Sequence, residues 1–138
     1  MPASRPPPVT PHLTVAAAAD AIAFYIRAFD AVDLGRALAK DGKRLLHAAV
    51  RINGGMVMLS DDFPEYSGGQ SRAPTSGRHT GVTIHLDVSD VDAVFARAVA
   101  AGAEPLDPPA DMFWGDRYAR LRDPFGHEWS LGAPTRHD

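Results

Sequence analysis

A chain of 138 residues, 45% apolar, with 17 acidic and 14 basic side chains, has room for one core or for two small modules that share one. It has no cysteine, which excludes disulfides, zinc–thiolate centres and thiol catalysis, and a net charge of −3 without a basic stripe argues against nucleic acid as a partner. No stretch is apolar for long enough to span a membrane. The start, Met1-Pro-Ala-Ser-Arg-Pro-Pro-Pro8, lacks the apolar segment of a secretion signal, so the expectation is a cytoplasmic protein with a proline-stiffened disordered tail at residues 1–8.

A first strand is predicted over Val9–Val15 and a helix over Ala18–Phe29, where Ile22, Tyr25, Ile26 and Phe29 form one helical stripe. Strands follow at Val32–Ala39, Leu45–Ile52 and Met56–Ser60, with turns at Asp41-Gly42 and Asn53-Gly54. Residues 61–79, rich in Gly, Ser and Pro, read as a flexible linker. Then the order restarts. A strand is predicted over Val82–Val88, and a helix capped by Ser89 or Asp90 carries Val91, Val94, Phe95 and Ala98 until Gly102 ends it. Strands at Glu104–Leu106, Tyr118–Arg122 and His127–Leu131 complete the copy, with Asp123-Pro-Phe-Gly126 as the last turn. The predicted class is α+β: two tandem βαβββ modules, residues 9–60 and 80–132, forming a curved mixed β-sheet cup with helices on its outer face and a second tail at 133–138. A ferredoxin-like β-α-β-β-α-β repeat would need one strand fewer per half. The two strands on which that distinction rests, Val32–Ala39 and Glu104–Leu106, carry the weakest patterns.

Residues two apart on a strand share a face. Pro11, Leu13 and Val15 oppose Thr10, His12 and Thr14. Leu46, Ala48, Val50 and Ile52 oppose His47, Ala49 and Arg51. Val57 and Leu59 oppose Met56, Met58 and Ser60; Val82, Ile84, Leu86 and Val88 oppose Thr83, His85 and Asp87; Trp129 and Leu131 oppose Glu128 and Ser130. The apolar faces are expected under the helices, with Trp129 in the core. The other faces are either the wet side of a sheet or, given their short semi-polar lining of Thr, Met, Ser, His and Ala, a pocket. Arg117, Arg120 and Arg122, flanked by Asp116 and Asp123, read as a solvated strand face. His79 and His127 read as surface or strand-edge residues, and His137 as tail. No nucleophile elbow, P-loop or dinucleotide fingerprint is present.

The repeat, with Thr10-Pro-His-Leu-Thr-Val15, Ala23-Phe-Tyr-Ile-Arg-Ala-Phe29, His47 through Asp61, His85-Leu-Asp-Val-Ser-Asp-Val-Asp92, Phe113-Trp-Gly-Asp-Arg117 and Asp123-Pro-Phe-Gly-His-Glu-Trp-Ser130, resembles the vicinal oxygen chelate superfamily of glyoxalases, bleomycin-resistance proteins and extradiol dioxygenases. It is most similar to the glyoxalase-like branch related to phosphonate-operon proteins. The resemblance covers about residues 9 to 132 and departs at Asp30, where that branch places glycine. It implies a homodimer in which each cup is completed by modules of both chains. It also implies that the four metal positions of metal-dependent members fall on Thr10, Met58, Thr83 and Ser130, none of them a good ligand for a hard divalent ion. No cofactor is therefore expected; should a divalent metal bind, His12, His85 and Glu128 are the fallback ligands, with His47 as a fourth.

The expected pocket comprises His12, His47, Met56, Met58, Thr83, His85, Trp114, Glu128 and Ser130, with His85 and Glu128 as the catalytic candidates if they form an acid–base pair. Trp114 either walls one end of the groove or anchors its loop into the core or a dimer interface. The leading expectation is small-molecule binding without metal. The alternatives are a metal-dependent lyase, isomerase or dioxygenase on a substrate with vicinal oxygens, and metal-free acid–base catalysis; a flat protein-binding surface fits the lining less well.

Overall fold

One topology is drawn twice. In a computed structural model that describes residues 5–74 and 80–135, one sheet has the strand order β1-β4-β3-β2 and the other β5-β8-β7-β6. The first module comprises β1 (His12–Val15), α1 (Ala18–Phe29), β2 (Val32–Leu38), β3 (Leu45–Ile52) and β4 (Gly55–Asp61). The second comprises β5 (Thr83–Asp87), α2 (Val91–Ala101), β6 (Glu104–Asp111), β7 (Asp116–Arg122) and β8 (Glu128–Pro134). In each sheet the first strand runs parallel to the last and the other neighbours are antiparallel. This is the α+β repeat expected, including the two strands that a ferredoxin-like alternative would have lacked. No helix among the described residues is long and apolar enough to cross a membrane. His79 and His137 lie outside the described residues.

The helices form where their apolar stripes predict. Ala18, Ala21, Ile22, Phe24, Tyr25, Ala28 and Phe29 bury one face of α1. Its end falls at Asp30, which takes a left-handed φ of 58°, so that Asp30 N–H and Ala31 N–H return to the Ile26 and Tyr25 carbonyls. Asp tolerates that conformation better than most residues, so it fills the glycine position. At the start of α1 the capping position is Ala17, whose methyl group cannot accept a hydrogen bond. The buried carboxylate of Asp61, at the end of β4, accepts from Ala18 N–H at 2.9 Å and Leu45 N–H at 2.7 Å instead. Residue 61, expected to open the linker, is thus a structural part of the sheet. The second helix is capped locally: Asp90 accepts from Ala93 N–H.

Other boundaries shift for identifiable reasons. Val9 is exposed and β1 starts only at His12. A bulge where β2 meets β3, between Ala37 and Leu38, advances β3 by an extra residue, so Leu45 points into the core and Leu46 is half exposed, the reverse of the expected face. β6 runs on to Asp111 through Pro105, Pro108 and Pro109, tolerable because β6 is an edge strand.

The modules meet through helix-to-helix contact and through one buried carboxylate. Asp123, 3% exposed, accepts from the Tyr25 hydroxyl of α1 at 2.6 Å and from Trp129 Nε1 at 2.9 Å, while its other oxygen takes the Phe125 and His127 N–H groups. Trp129 is fully buried, as expected, with the Phe29 ring 4.9 Å away. His127 is not a free surface residue: its Nε2 donates to the Thr14 carbonyl of β1 at 2.9 Å.

Asp123→Ala strands two side-chain and two backbone donors and is expected to cost about 3–5 kcal/mol in urea unfolding. Burial, then the charge of Asp123 and its hydrogen bond, push the Tyr25 phenol well above its ordinary value of 10.0. The fold therefore stabilises the neutral phenol: that stability is complete below pH 10.0 and is lost as pH rises above it. Unfolding midpoints measured from pH 8 to about 11 are expected to fall less steeply in Tyr25→Phe than in the wild type.

Candidate functional site

β1 and β5 are free edges of their sheets, and a groove of about 590 Å³ lies between them. Its lining includes Pro11, His12 and Leu13 from the first module and Val82, Thr83, Ile84, His85, His127 and Glu128 from the second. The register explains the second wall: Thr83 sits opposite Glu128, His85 opposite Ser130 and Asp87 opposite Gly132. All share the face turned away from the helix, as do Tyr118, Arg120 and Arg122 of β7.

Glu128 is the carboxylate among the described residues that line the groove, and it is already paired. Its carboxylate accepts from Arg120 Nη2 at 2.8 Å and from Arg122 Nη2 at 3.2 Å, and its side chain is only 8% exposed. Arg120 Nη2 also donates to Thr83 Oγ1 at 2.9 Å. The expected solvated arginine face is therefore corrected: Arg120 and Arg122 are partly buried partners of Glu128, and Arg117 joins Asp92 and Asp111 instead. The sequence pattern missed this because the pairing partner is on the next strand.

His85 is likewise held, but not by Glu128. Its Nδ1 lies 2.8 Å from Ser130 Oγ and its Nε2 3.1 Å from Asp87 Oδ1, so the expected His85–Glu128 acid–base pair is replaced by an Asp87–His85–Ser130 chain. Gly132 makes room for the ring: a Cβ there would come within 2.8 Å of His85 Cε1. Tyr118 stacks on His85 at 6.3 Å, Trp114 meets Tyr118 edge-on at 5.7 Å, and Phe113, almost fully exposed, meets Trp114 at 5.1 Å. Trp114 thus connects to the groove through Tyr118, a residue that sequence reading did not single out. Its two-residue spacing from Arg120 and Arg122, the face-sharing rule applied elsewhere, was the available signal.

The first sheet carries a separate hollow of about 420 Å³, lined among others by Arg36, His47, Ala49, Arg51, Met56 and Met58. The nine residues expected to form one pocket are thus divided. His47, Met56 and Met58 line the first-sheet hollow; Thr83, His85 and Glu128 line the groove, with Ser130 buried beneath His85. His12 stands at the division, in the groove wall with its ring 6.0 Å from that of His47. Burial, then the neighbouring His47, lowers the His12 pKa below its ordinary 6.5 and keeps the ring neutral at neutral pH.

A hard divalent ion does not fit these donors. Among the described residues no three His, Asp or Glu side chains converge as a shell. Thr10 donates its hydroxyl to the Pro7 carbonyl, Thr83 accepts from Arg120, Ser130 is bonded to His85, and Met58 offers a soft thioether. The fallback set of His12, His85 and Glu128 fares no better, because two guanidinium groups occupy the carboxylate and would repel a cation brought to it.

The family model for the glyoxalase/bleomycin resistance protein/dioxygenase superfamily matches residues 8–131. The chain belongs to that superfamily. It is 58% identical over 130 residues to the uncharacterized protein Mb0911c of Mycobacterium bovis, covering 94% of this chain and 85% of that protein. Among solved structures, TioX from Micromonospora sp. ML1 is 31% identical with a TM-score of 0.70, covering 92% of this chain and 98% of that one. The At5g48480 product of Arabidopsis thaliana is 28% identical with a TM-score of 0.72, over the same shares of the two chains. The fosfomycin resistance protein FosX of Listeria monocytogenes, complexed with Mn(II) and a dihydroxypropylphosphonic acid, shares the fold at 19% identity and a TM-score of 0.66, over 91% of this chain and 88% of that one.

Glu128→Ala removes the buried anion shared by Arg120 and Arg122 and leaves them only the exposed Asp107 and Glu104. The expected loss is about 2–4 kcal/mol in chemical unfolding, below the fully buried case because both arginines keep some solvent. Gly132→Ala is expected to keep the fold by circular dichroism but to displace the His85 ring. The displacement is read as a change in its imidazole NMR signals.

Proposed function

We propose that this superfamily member is a small-molecule-binding protein whose ligand occupies the groove between β1 and β5, without a divalent metal. One observation carries the reading: Glu128, the carboxylate that a metal or a general base would require, is neutralised by Arg120 and Arg122. What remains open to a ligand is apolar wall from Val82 and Ile84 together with His12 and the exposed part of His85. The aromatic run Trp114–Tyr118–His85 supports a flat ligand, because aromatic faces stack on planar groups while fixed hydrogen bonds orient them. The exposed Phe113 and half-exposed Trp114, and the open side of both sheets, support a homodimer that covers this end of the groove.

Metal-free acid–base catalysis is a second reading with one observation in its favour. Ser130 holds Nδ1 of His85 and fixes the ring's direction, while Nε2 meets only the largely exposed Asp87, which an incoming substrate displaces to reach the base nitrogen. In this reading His85 acts and Glu128 does not, because an ion-paired carboxylate is a poor base.

Elemental mass spectrometry after incubation with Mn(II), Ni(II) and Zn(II) and desalting is expected to find well under one divalent ion per chain. A flat ligand found by thermal-shift screening is expected to bind about tenfold or more weakly to Trp114→Ala. About one ion per chain, lost in Glu128→Ala, would overturn the metal-free reading in favour of a lyase, isomerase or dioxygenase on vicinal oxygens. If His85→Ala spares binding but removes turnover of that ligand, the catalytic reading replaces simple binding. A chain that sediments as a monomer at every concentration would remove the dimer.

A further inference from the structure

The open face of the first sheet gathers three side chains that the proposed groove does not need as a set. His12 on β1 lies directly opposite Met58 on β4, one parallel strand spacing away. On the other side of β4, Ala48 pairs with Leu59 and Ala49 with Met58 in the antiparallel register, so His47 continues that register one step further along β3. All three side chains leave the same face, because residues of equal parity share it. The two imidazole rings stand 6.0 Å apart, centre to centre, across the strand that carries the thioether.

That spacing is informative. A ring nitrogen binds a metal at about 2.0–2.1 Å, and the ring centre lies about 1.2 Å behind the nitrogen, so two imidazoles on one ion have centres at most about 6.6 Å apart. The observed 6.0 Å, with the ring planes at 80°, falls inside the limit. Two or three soft donors are what closed-shell monovalent ions accept, whereas hard octahedral ions need six donors. The third donor agrees: a methionine thioether is a poor ligand for Mn(II) or Mg(II) and a good one for Cu(I).

We propose that His12, His47 and Met58 form a binding site for a monovalent soft metal ion of the Cu(I) or Ag(I) type, on the first sheet beside the Glu128 groove, with which it shares His12. Two surroundings favour the monovalent ion. Arg51 shares the face of His47 but is four residues along the strand, about 13 Å away at 3.3 Å per residue. No carboxylate is among the residues lining the hollow that contains His47 and Met58, so nothing there compensates a double charge.

The chain offers a clean test, because it contains no cysteine to capture such ions. Ag(I), which does not change oxidation state under the assay, is titrated into the full-length protein in a chloride-free buffer. Uptake is followed by calorimetry and by the methyl signals of methionine labelled with carbon-13. The expected result is one ion per chain, with the Met58 methyl and the His12 and His47 ring signals shifting together. Affinity is expected to fall about tenfold or more in Met58→Leu, which preserves side-chain volume, and in His47→Gln. Circular dichroism of each variant confirms that it remains folded. Cu(I) supplied anaerobically is expected to follow the same pattern. No uptake at micromolar concentration would overturn the proposal. So would uptake that both variants leave unchanged, or uptake that follows His85 instead.

Discussion

The buried carboxylate of Asp123 is the interaction on which the arrangement of the two modules depends. It binds the hydroxyl of Tyr25 from the first helix, the indole of Trp129 from the last strand, and two backbone N–H groups of its own turn. A buried anion with every lone pair engaged is favourable only in one geometry, since moving either module would leave charge or donors unpaired in a low-dielectric interior. Beside it, His127 ties the same turn to the Thr14 carbonyl of β1. These links hold β1 near the second module while leaving β1 and β5 unbonded to each other, and the groove is the space that results.

Within that groove a second buried charge has a different consequence. Arg120 and Arg122 meet Glu128 where it emerges on the open face of β8, and Arg120 reaches Thr83 across the neighbouring strand. A guanidinium is an internal cation that needs no loading and cannot lose its charge at neutral pH. With it in place, the second sheet presents fixed hydrogen-bonding groups and an aromatic run. The fold is shared with FosX, which binds Mn(II); the side chains placed on the fold decide what each member does.

Much of this architecture was legible in the residues. The two helical stripes and the Asp123-Pro-Phe-Gly126 turn each gave an element its position, and the restart after the linker exposed the repeat. Where reading failed, a non-local partner had intervened. Asp61 looked like the first residue of a polar linker, yet it caps α1 because Ala17 cannot. Leu46 belonged by alternation to the buried face until a bulge against β2 turned it outward. The three β7 arginines resembled solvated charge because their anions are on α2, β6 and β8.

The candidate site shows the same division. Alternation along each strand determined which face every histidine, methionine and carboxylate occupies, since a two-residue period follows from backbone geometry alone. Register between strands is not written in any one strand. Only the tertiary structure decided that His85 meets Ser130 and Asp87 rather than Glu128, that Glu128 is closed by two arginines, and that His12 and His47 flank Met58. Local sequence fixes side-chain direction because it acts through one residue's dihedrals. Partnership depends on how distant segments align, and here a bulge, a bond between Tyr25 and Asp123 and the pairing of β8 with β5 made that choice.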